Sequence, residues 1–231
     1  MKMRAILCLL GPALVLGLLS CQTTPPVETT AKPGSSGRGA MARNAKNLNL
    51  VVDLIPKGQF GRKWHRPMRP RYITVHSTQS YPANANAKTH ANALKHGYLT
   101  ATNNLLGYLT WHYTVDQSYV YQSLPDNERG EHADYEGKGN KTSIGIEMCE
   151  NKGNSREATV ERTAKLVAAL MKEHNIPIQG VVPHYHWERV QPKTGKNIGH
   201  KACPHFLMDN GHPGPKWRAF QEKVMGYYKR A

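Results

Sequence analysis

Acidic residues and cysteine are both scarce in this chain. Its 231 residues hold 16 Asp plus Glu against 31 Lys plus Arg, a formal charge of +15, and only 4 Cys. So few cysteines exclude a disulfide-built scaffold, and the basic excess suits a polyanionic partner such as a membrane surface, a wall polymer or nucleic acid. Also lacking is an apolar run of the ~20 residues that a membrane-spanning helix needs. No internal repeat and no helix-turn-helix, RNA-binding or zinc-finger spacing is visible, which argues against nucleic acid as the partner. A His-Glu-x-x-His motif is missing too, so a protease of the zincin type is disfavoured.

What is present begins as an export signal. Lys2 and Arg4 precede an almost unbroken apolar run from Ala5 to Leu19, and the run ends in Leu18, Leu19, Ser20 and Cys21. That ending resembles a bacterial lipobox, so residues 1–20 are expected to be removed and Cys21 to become the lipidated first residue. Gln22, where an Asp would signal retention, resembles the outer-membrane sorting pattern. The expected location is therefore the cell envelope, lipid-anchored, on the periplasmic side of the outer membrane where the organism has two membranes. Residues 21–46 are rich in Pro, Thr, Gly and Ser with little apolar content and read as a flexible tether. Residues 47–231 fit one domain with a single core. Without the first twenty residues, 29 Lys plus Arg still face 16 Asp plus Glu.

The order of elements reads as α/β. Strands are expected at 72–76, 143–148 and 180–182, with a hairpin formed by 108–115 and 118–122 across Asp116 and Gln117. Residues 84–99 are Ala-rich and helical in character. Residues 156–174 repeat apolar side chains at a helical period, with Asn154 and Glu157 placed for a capping box and Pro177 beyond the end. Residues 215–229 form a closing helix with Trp217, Phe220, Val224 and Tyr228 on one face. The expected architecture is a central mixed β-sheet flanked by helices.

Two neighbouring stretches concentrate groups that ligate or polarise. VPHYHWE at 182–188 and GHKACPHF at 199–206 bring His184, His186, His200, Lys201 and Cys203 into a Pro- and Gly-rich segment, the profile of a metal-site loop. Zinc takes imidazole nitrogen and thiolate sulfur together, and a catalytic site keeps three protein ligands. A third ligand is expected from His76, which ends a strand-like run and is followed by small hydroxyl residues. Side chains alternate along a strand, so Tyr72, Thr74 and His76 share one face, while Ser143, Gly145 and Glu147 share the polar face of theirs. If those faces coincide, His76 and Glu147 project into one cleft floored by Gly145, where His112 and Thr114 can join them. For Cys149 and Cys203 the plain alternative is a disulfide, as in many exported proteins.

Five ordered motifs carry a resemblance: YITVHST, GYLTWHYTVD, EHADYEG, SIGIEMCEN and VVPHYHW with GHKACPHF. Over roughly residues 47–231 the chain resembles the zinc-dependent N-acetylmuramoyl-L-alanine amidases of the type-2 family, similar in fold to the peptidoglycan recognition proteins. The resemblance implies one zinc ion held by His76, His184 and Cys203, with Glu147 as the general base and Lys201 stabilising the oxyanion. It also implies peptidoglycan as partner and the bond between N-acetylmuramic acid and L-alanine as the one cleaved; a monomer is expected. His132 matches a histidine that contacts substrate, and His112 is placed beside it as a second substrate contact. Two features depart from the pattern. The loop from His186 to Lys201 is longer than in compact members, which leaves His186 and His200 open as alternatives to His184. Trp111 also stands where some members carry a catalytic Tyr. A metal-free binding module of the same fold and a peptidase cutting within the stem are the competing classes.

Overall fold

Residues 39–230 are described by a computed structural model. Residues 1–20, Cys21 and most of the expected tether lie outside the described residues. The centre is a six-stranded sheet of β1 (Leu50–Val52), β2 (Tyr72–Ser77), β3 (Tyr113–Val115), β4 (Val120–Gln122), β5 (Ser143–Met148) and β6 (Val181–Pro183). Their order is β1-β4-β3-β5-β2-β6, and only the β3–β4 pair is antiparallel. The helices are α1 (Ala40–Leu48), α2 (Ala87–Lys95), α3 (Lys138–Thr142), α4 (Arg156–His174) and α5 (Pro215–Arg230). A small pair, β7 (Met208–Asp209) and β8 (His212–Pro213), precedes α5. The fold is thus a mixed sheet with helices packed on it, as the alternation of elements implies.

The two faces of the sheet differ in kind. Ile73 and Val75 of β2, Ile144, Ile146 and Met148 of β5, and Tyr113 and Val115 of β3 join Leu48 of α1, Leu166, Val167 and Leu170 of α4, and Trp217, Phe220 and Val224 of α5 in one core. Fully burying each of the aliphatic side chains stabilises the fold by roughly 1.5–3 kcal/mol before chain entropy is counted. The opposite parity carries Thr74, His76, Gly145 and Glu147, and β2 and β5 run parallel with His76 beside Glu147 and Thr74 beside Gly145. Both side chains therefore emerge on one face at the carboxyl ends of neighbouring strands, where α/β folds keep their sites.

Local chemistry shifts several boundaries. Helix α4 spans the expected residues, but its cap is Ser155, whose Oγ accepts the Ala158 N–H at 3.2 Å. Asn154, expected as the cap, instead accepts the Gln117 N–H at 2.9 Å and donates to the Cys149 carbonyl at 2.8 Å, tying the β3–β4 turn to β5. The hairpin turn is wider than two residues, because Asp116 Oδ1 accepts both the Ser118 and Tyr119 N–H groups. Residues 108–112 pair only through isolated bridges rather than a strand. Helix α2 is shorter than its Ala-rich stretch, starting at the Asn86 cap and stopping before Gly97, whose φ of +69° ends it. The tether boundary is also corrected: residues 40–46 belong to α1, because Met41 and Leu48 pack on the core and Arg162 Nη1 donates to the Leu48 carbonyl at 2.8 Å.

Candidate metal centre and cleft

Strand β2 delivers His76, and the turn after the edge strand β6 delivers His184. Cys203 comes from the loop that follows, with its Sγ 3.4 Å from the Ser77 backbone nitrogen. All three side chains are buried, and one ligand atom from each lies within 4.8 Å of the others. His186 and His200, the alternatives, are elsewhere: His186 packs against Tyr72 and Trp187, and His200 Nδ1 donates to the Tyr185 carbonyl at 2.7 Å. Cys149 and Cys203 are both free thiols.

Hydrogen-bond accounting fixes which nitrogens carry protons. His184 Nε2 lies 2.8 Å from the Ala133 carbonyl, an acceptor only, so Nε2 holds the proton and Nδ1 is bare. His132 Nε2 faces the Ser143 carbonyl at 3.3 Å, so it too is the donor, leaving His132 Nδ1 to accept. His76 Nε2, 3.0 Å from that Nδ1, must then donate, and His76 Nδ1 is bare. Burial, then the neighbouring His184, His132 and Lys201, pull His76 well below its ordinary range; burial and Lys201 bring His184 to about 3, so both rings are neutral at pH 7. Two bare nitrogens, His76 Nδ1 and His184 Nδ1, consequently face each other at 2.9 Å. Two lone pairs at that separation call for a cation between them, and this donor set fits a metal ion.

Glu147 adds a second unfulfilled acceptor. Its Oε1 is 4.0 Å from His76 Nδ1, and its Oε2 is buried with no hydrogen-bond partner. Burial pushes this carboxyl up to about 8, against the pull of Lys201 and with a smaller push from Glu150. Burial and the Glu147 charge hold the Cys203 thiol at about 12, so a thiolate there requires a cation beside it. Lys201 lines the same cleft, a cavity of about 380 Å³ that also exposes Trp111, Glu131, His132, Arg189 and the 100–104 loop.

His112, expected as a substrate contact, is corrected by its surroundings. It is 0% exposed, its Nε2 donates to the Glu128 carbonyl at 2.8 Å and its Nδ1 accepts the Gly145 N–H at 2.9 Å, so no ring nitrogen remains for a ligand. His132 does line the cleft, but both its nitrogens are engaged with the protein. Trp111 donates its indole N–H to Thr114 Oγ1 at 2.7 Å. Residues of the cleft and its surroundings escaped the sequence, Asn140 of the lining among them. Glu131 and Arg189 line the cleft although neither stands at a motif position given a role; His205, read as a plain loop histidine, lies 3.3 Å from the buried Glu150 carboxylate and 3.4 Å from Ser77 Oγ. Only the neighbourhood of Glu131, Arg189 and His205 in the EHADYEG, HWERV and CPHF runs hinted at those three.

Fold and site together define an α/β protein with a buried two-imidazole, one-thiol centre fit for a metal ion, open to a polar cleft. The chain belongs to the N-acetylmuramoyl-L-alanine amidase family Amidase_2, whose profile matches residues 66–206. Among its relatives, the N-acetylmuramoyl-L-alanine amidase XlyA of Bacillus subtilis (strain 168) is 37% identical over 180 residues, covering 78% of this chain and 52% of that protein. CwlH of the same organism, also named an N-acetylmuramoyl-L-alanine amidase, is 38% identical over 175 residues, covering 75% of this chain and 60% of its own. The chain thus spans about half the length of the curated relatives it matches. The solved catalytic domain of XlyA superposes with a TM-score of 0.62 at 37% identity, covering 76% of this chain and 99% of that one. PlyL does so with a TM-score of 0.56 at 28% identity, over 76% and 94%.

Proposed function

We propose that the chain is a zinc-dependent amidase that hydrolyses the amide joining the lactyl group of N-acetylmuramic acid to the L-alanine of the peptidoglycan stem. The observation that carries this reading is the meeting, in one cleft, of two bare imidazole nitrogens, a buried thiol and an unpartnered carboxylate oxygen. Family membership and the names of the relatives supply the substrate class.

His76, His184 and Cys203 would hold the ion. Zinc, when bound, supplies Lewis acidity toward a carbonyl oxygen, acidifies water, and adds a positive charge that favours Glu147 as carboxylate. Glu147 takes a proton from the water that attacks the amide carbon and returns it to the alanine nitrogen as the C–N bond breaks, leaving a carboxylate on the sugar and a free amine on the stem. Lys201, a fixed cation in the same cleft, stabilises the negative charge that grows on the carbonyl oxygen; one such donor is typically worth ~2.7–4 kcal/mol of barrier. His112 acts as framework rather than as a group that touches substrate.

The same proposal includes a lipid anchor at Cys21, attachment to the outer membrane in a two-membrane organism, and a monomer; the lipobox-like sequence is what supports the anchor. The deciding experiment is digestion of defined muropeptides, with products identified by mass spectrometry and zinc counted per chain. Intact saccharides and stems with a free L-alanine amino terminus, at one zinc per chain, are expected. Fragments cut within the stem would make the protein a peptidase, and binding of muropeptide with neither zinc nor cleavage would make it a metal-free binding module.

A further inference from the structure

Both imidazoles of the centre are oriented by the same two consecutive residues. The His132 side chain takes the His76 Nε2–H at 3.0 Å, and the next residue, Ala133, takes the His184 Nε2–H on its carbonyl at 2.8 Å. This dipeptide is clamped by one side chain. Asn140 Oδ1 accepts the backbone N–H of His132 at 2.9 Å and of Ala133 at 2.8 Å. Asn140 is itself 1% exposed, bonded through its backbone N–H to Asp134 Oδ1 at 2.8 Å and through its amide to Glu131 Oε2 at 3.2 Å.

The fold makes room for the arrangement at two glycines. A Cβ on Gly145 would lie 2.7–2.8 Å from three atoms of the His132 ring, and a Cβ on Gly130 would lie 2.7 Å from its Cδ2. The ring therefore sits where any side chain on β5 at position 145 would stand. The Gly145 N–H in turn holds His112 Nδ1, so the fixed His112 ring lies behind His132, with ring centroids 5.9 Å apart in an edge-on contact.

We propose that His132, held by Asn140, is the positioning residue of the metal centre: its Nδ1 selects the His76 tautomer whose Nδ1 lone pair points at the ion, while the carbonyl beside it does the same for His184. Resting as it does on the zinc reading above, this assignment removes His132 from the list of substrate contacts. Partners that orient ligating imidazoles commonly contribute 10–100-fold in metal affinity.

The two nitrogens of His132 have separable jobs, which provides the test. Asn at this position puts a carbonyl oxygen where Nδ1 stands and can still accept from His76; Gln instead reaches the Ser143 carbonyl with its amide and leaves His76 without an acceptor. Full-length protein, His132→Asn and His132→Gln are compared for zinc affinity by chelator competition and for the visible spectrum of the cobalt-substituted form. The expected result is affinity within a few-fold of the unaltered protein for His132→Asn, and a loss of about 10–100-fold with an altered cobalt spectrum for His132→Gln. His132→Asn and Asn140→Ala are further expected to leave and to lose affinity, respectively. A merely structural role for the Ser143 contact predicts the reverse ranking of Asn and Gln, and that ranking, or equal zinc affinity in all three proteins, overturns the assignment. Absence of zinc from the unaltered protein would instead remove the metal reading itself and this inference with it.

Discussion

Glu147 sits inside a sheet where carboxylates are rarely found, and its position follows from the parallel register that sets it beside His76. In the proposed reaction it handles the proton and does not ligate. Glu147→Gln is nearly isosteric, so it is expected to keep zinc and substrate affinity while hydrolysis falls by ~10²–10⁴, read as release of free L-alanine amino termini at equal zinc loading. An unchanged rate with zinc bound would move the proton to another group. Lys201→Met is expected to lower turnover with little effect on ground-state binding, and the double variant to be less impaired than the product of the two losses, since both groups act in one transition state. His76→Ala and Cys203→Ala remove a donor each and should lose both metal and activity; stoichiometric zinc after Cys203→Ala would take the thiol out of the site. A different carboxylate has a purely structural task. Glu128 forms a buried bidentate pair with Arg62, at 2.8 and 2.6 Å, and that hydrogen bonding holds its pKa below the ordinary 4.5. A lowered folded-state pKa means stability that is present above 4.5 and lost as pH falls through the folded value. Glu128→Gln should cost ~3–5 kcal/mol at neutral pH in urea unfolding and flatten the acid limb of the stability curve, because the stranded guanidinium stays buried. Alternation along the strand was enough to put Glu147 on the same face as Gly145, while its role as general base came from the family resemblance. The sequence could not show that His112, on the neighbouring segment, spends both nitrogens on backbone groups, since a hydrogen-bond partner is a property of the fold.

Among the elements, the long ones and the short strands β3, β4 and β6 were readable, whereas α1, β1 and α3 were not. Helix α4 and strands β2 and β5 carry their period in their own residues, and each lies where the apolar pattern puts it. Helix α1 has only Met41 and Leu48 as large apolar residues, set among Ala, Asn, Arg and Lys, so it resembled the polar stretch before it. What makes it a helix is tertiary: contact with α4 and the core, and the Arg162 bond to its last carbonyl. Strand β1 is likewise invisible without its parallel partner β4. The assignment of residues 40–46 to the domain predicts that Met41→Ala, which strips a partly buried contact from the core, lowers the urea midpoint, whereas in a tether the same change would leave it unshifted. At the start of α4, Ser155→Ala should cost ~0.5–2 kcal/mol through the lost cap, whereas Asn154→Ala also frees the β3–β4 turn from β5 and should cost more.

On the scale of the whole molecule, much of the basic excess is carried by three helices. Helices α1, α4 and α5, which pack on the face away from the cleft, contain eleven basic residues against four acidic ones. The cleft lining carries two carboxyl groups, Glu131 and Glu147, beside the cations Arg189 and Lys201. The basic excess therefore does not choose the substrate; it concerns what the rest of the surface meets, and an anionic envelope is the environment the proposed anchor provides. No helix among the described residues is long and apolar enough to cross a membrane; in the proposal above, attachment is through the modified Cys21. One acyl-anchored cysteine gives a sharp expectation. The unaltered protein made in a bacterium should partition into the detergent phase and incorporate labelled fatty acid, and Cys21→Ser should abolish the label and release the protein to the soluble fraction with its amidase activity intact. Solubility of both forms, with no label on either, would leave residues 1–20 as an ordinary secretory signal and the enzyme free in the compartment it reaches.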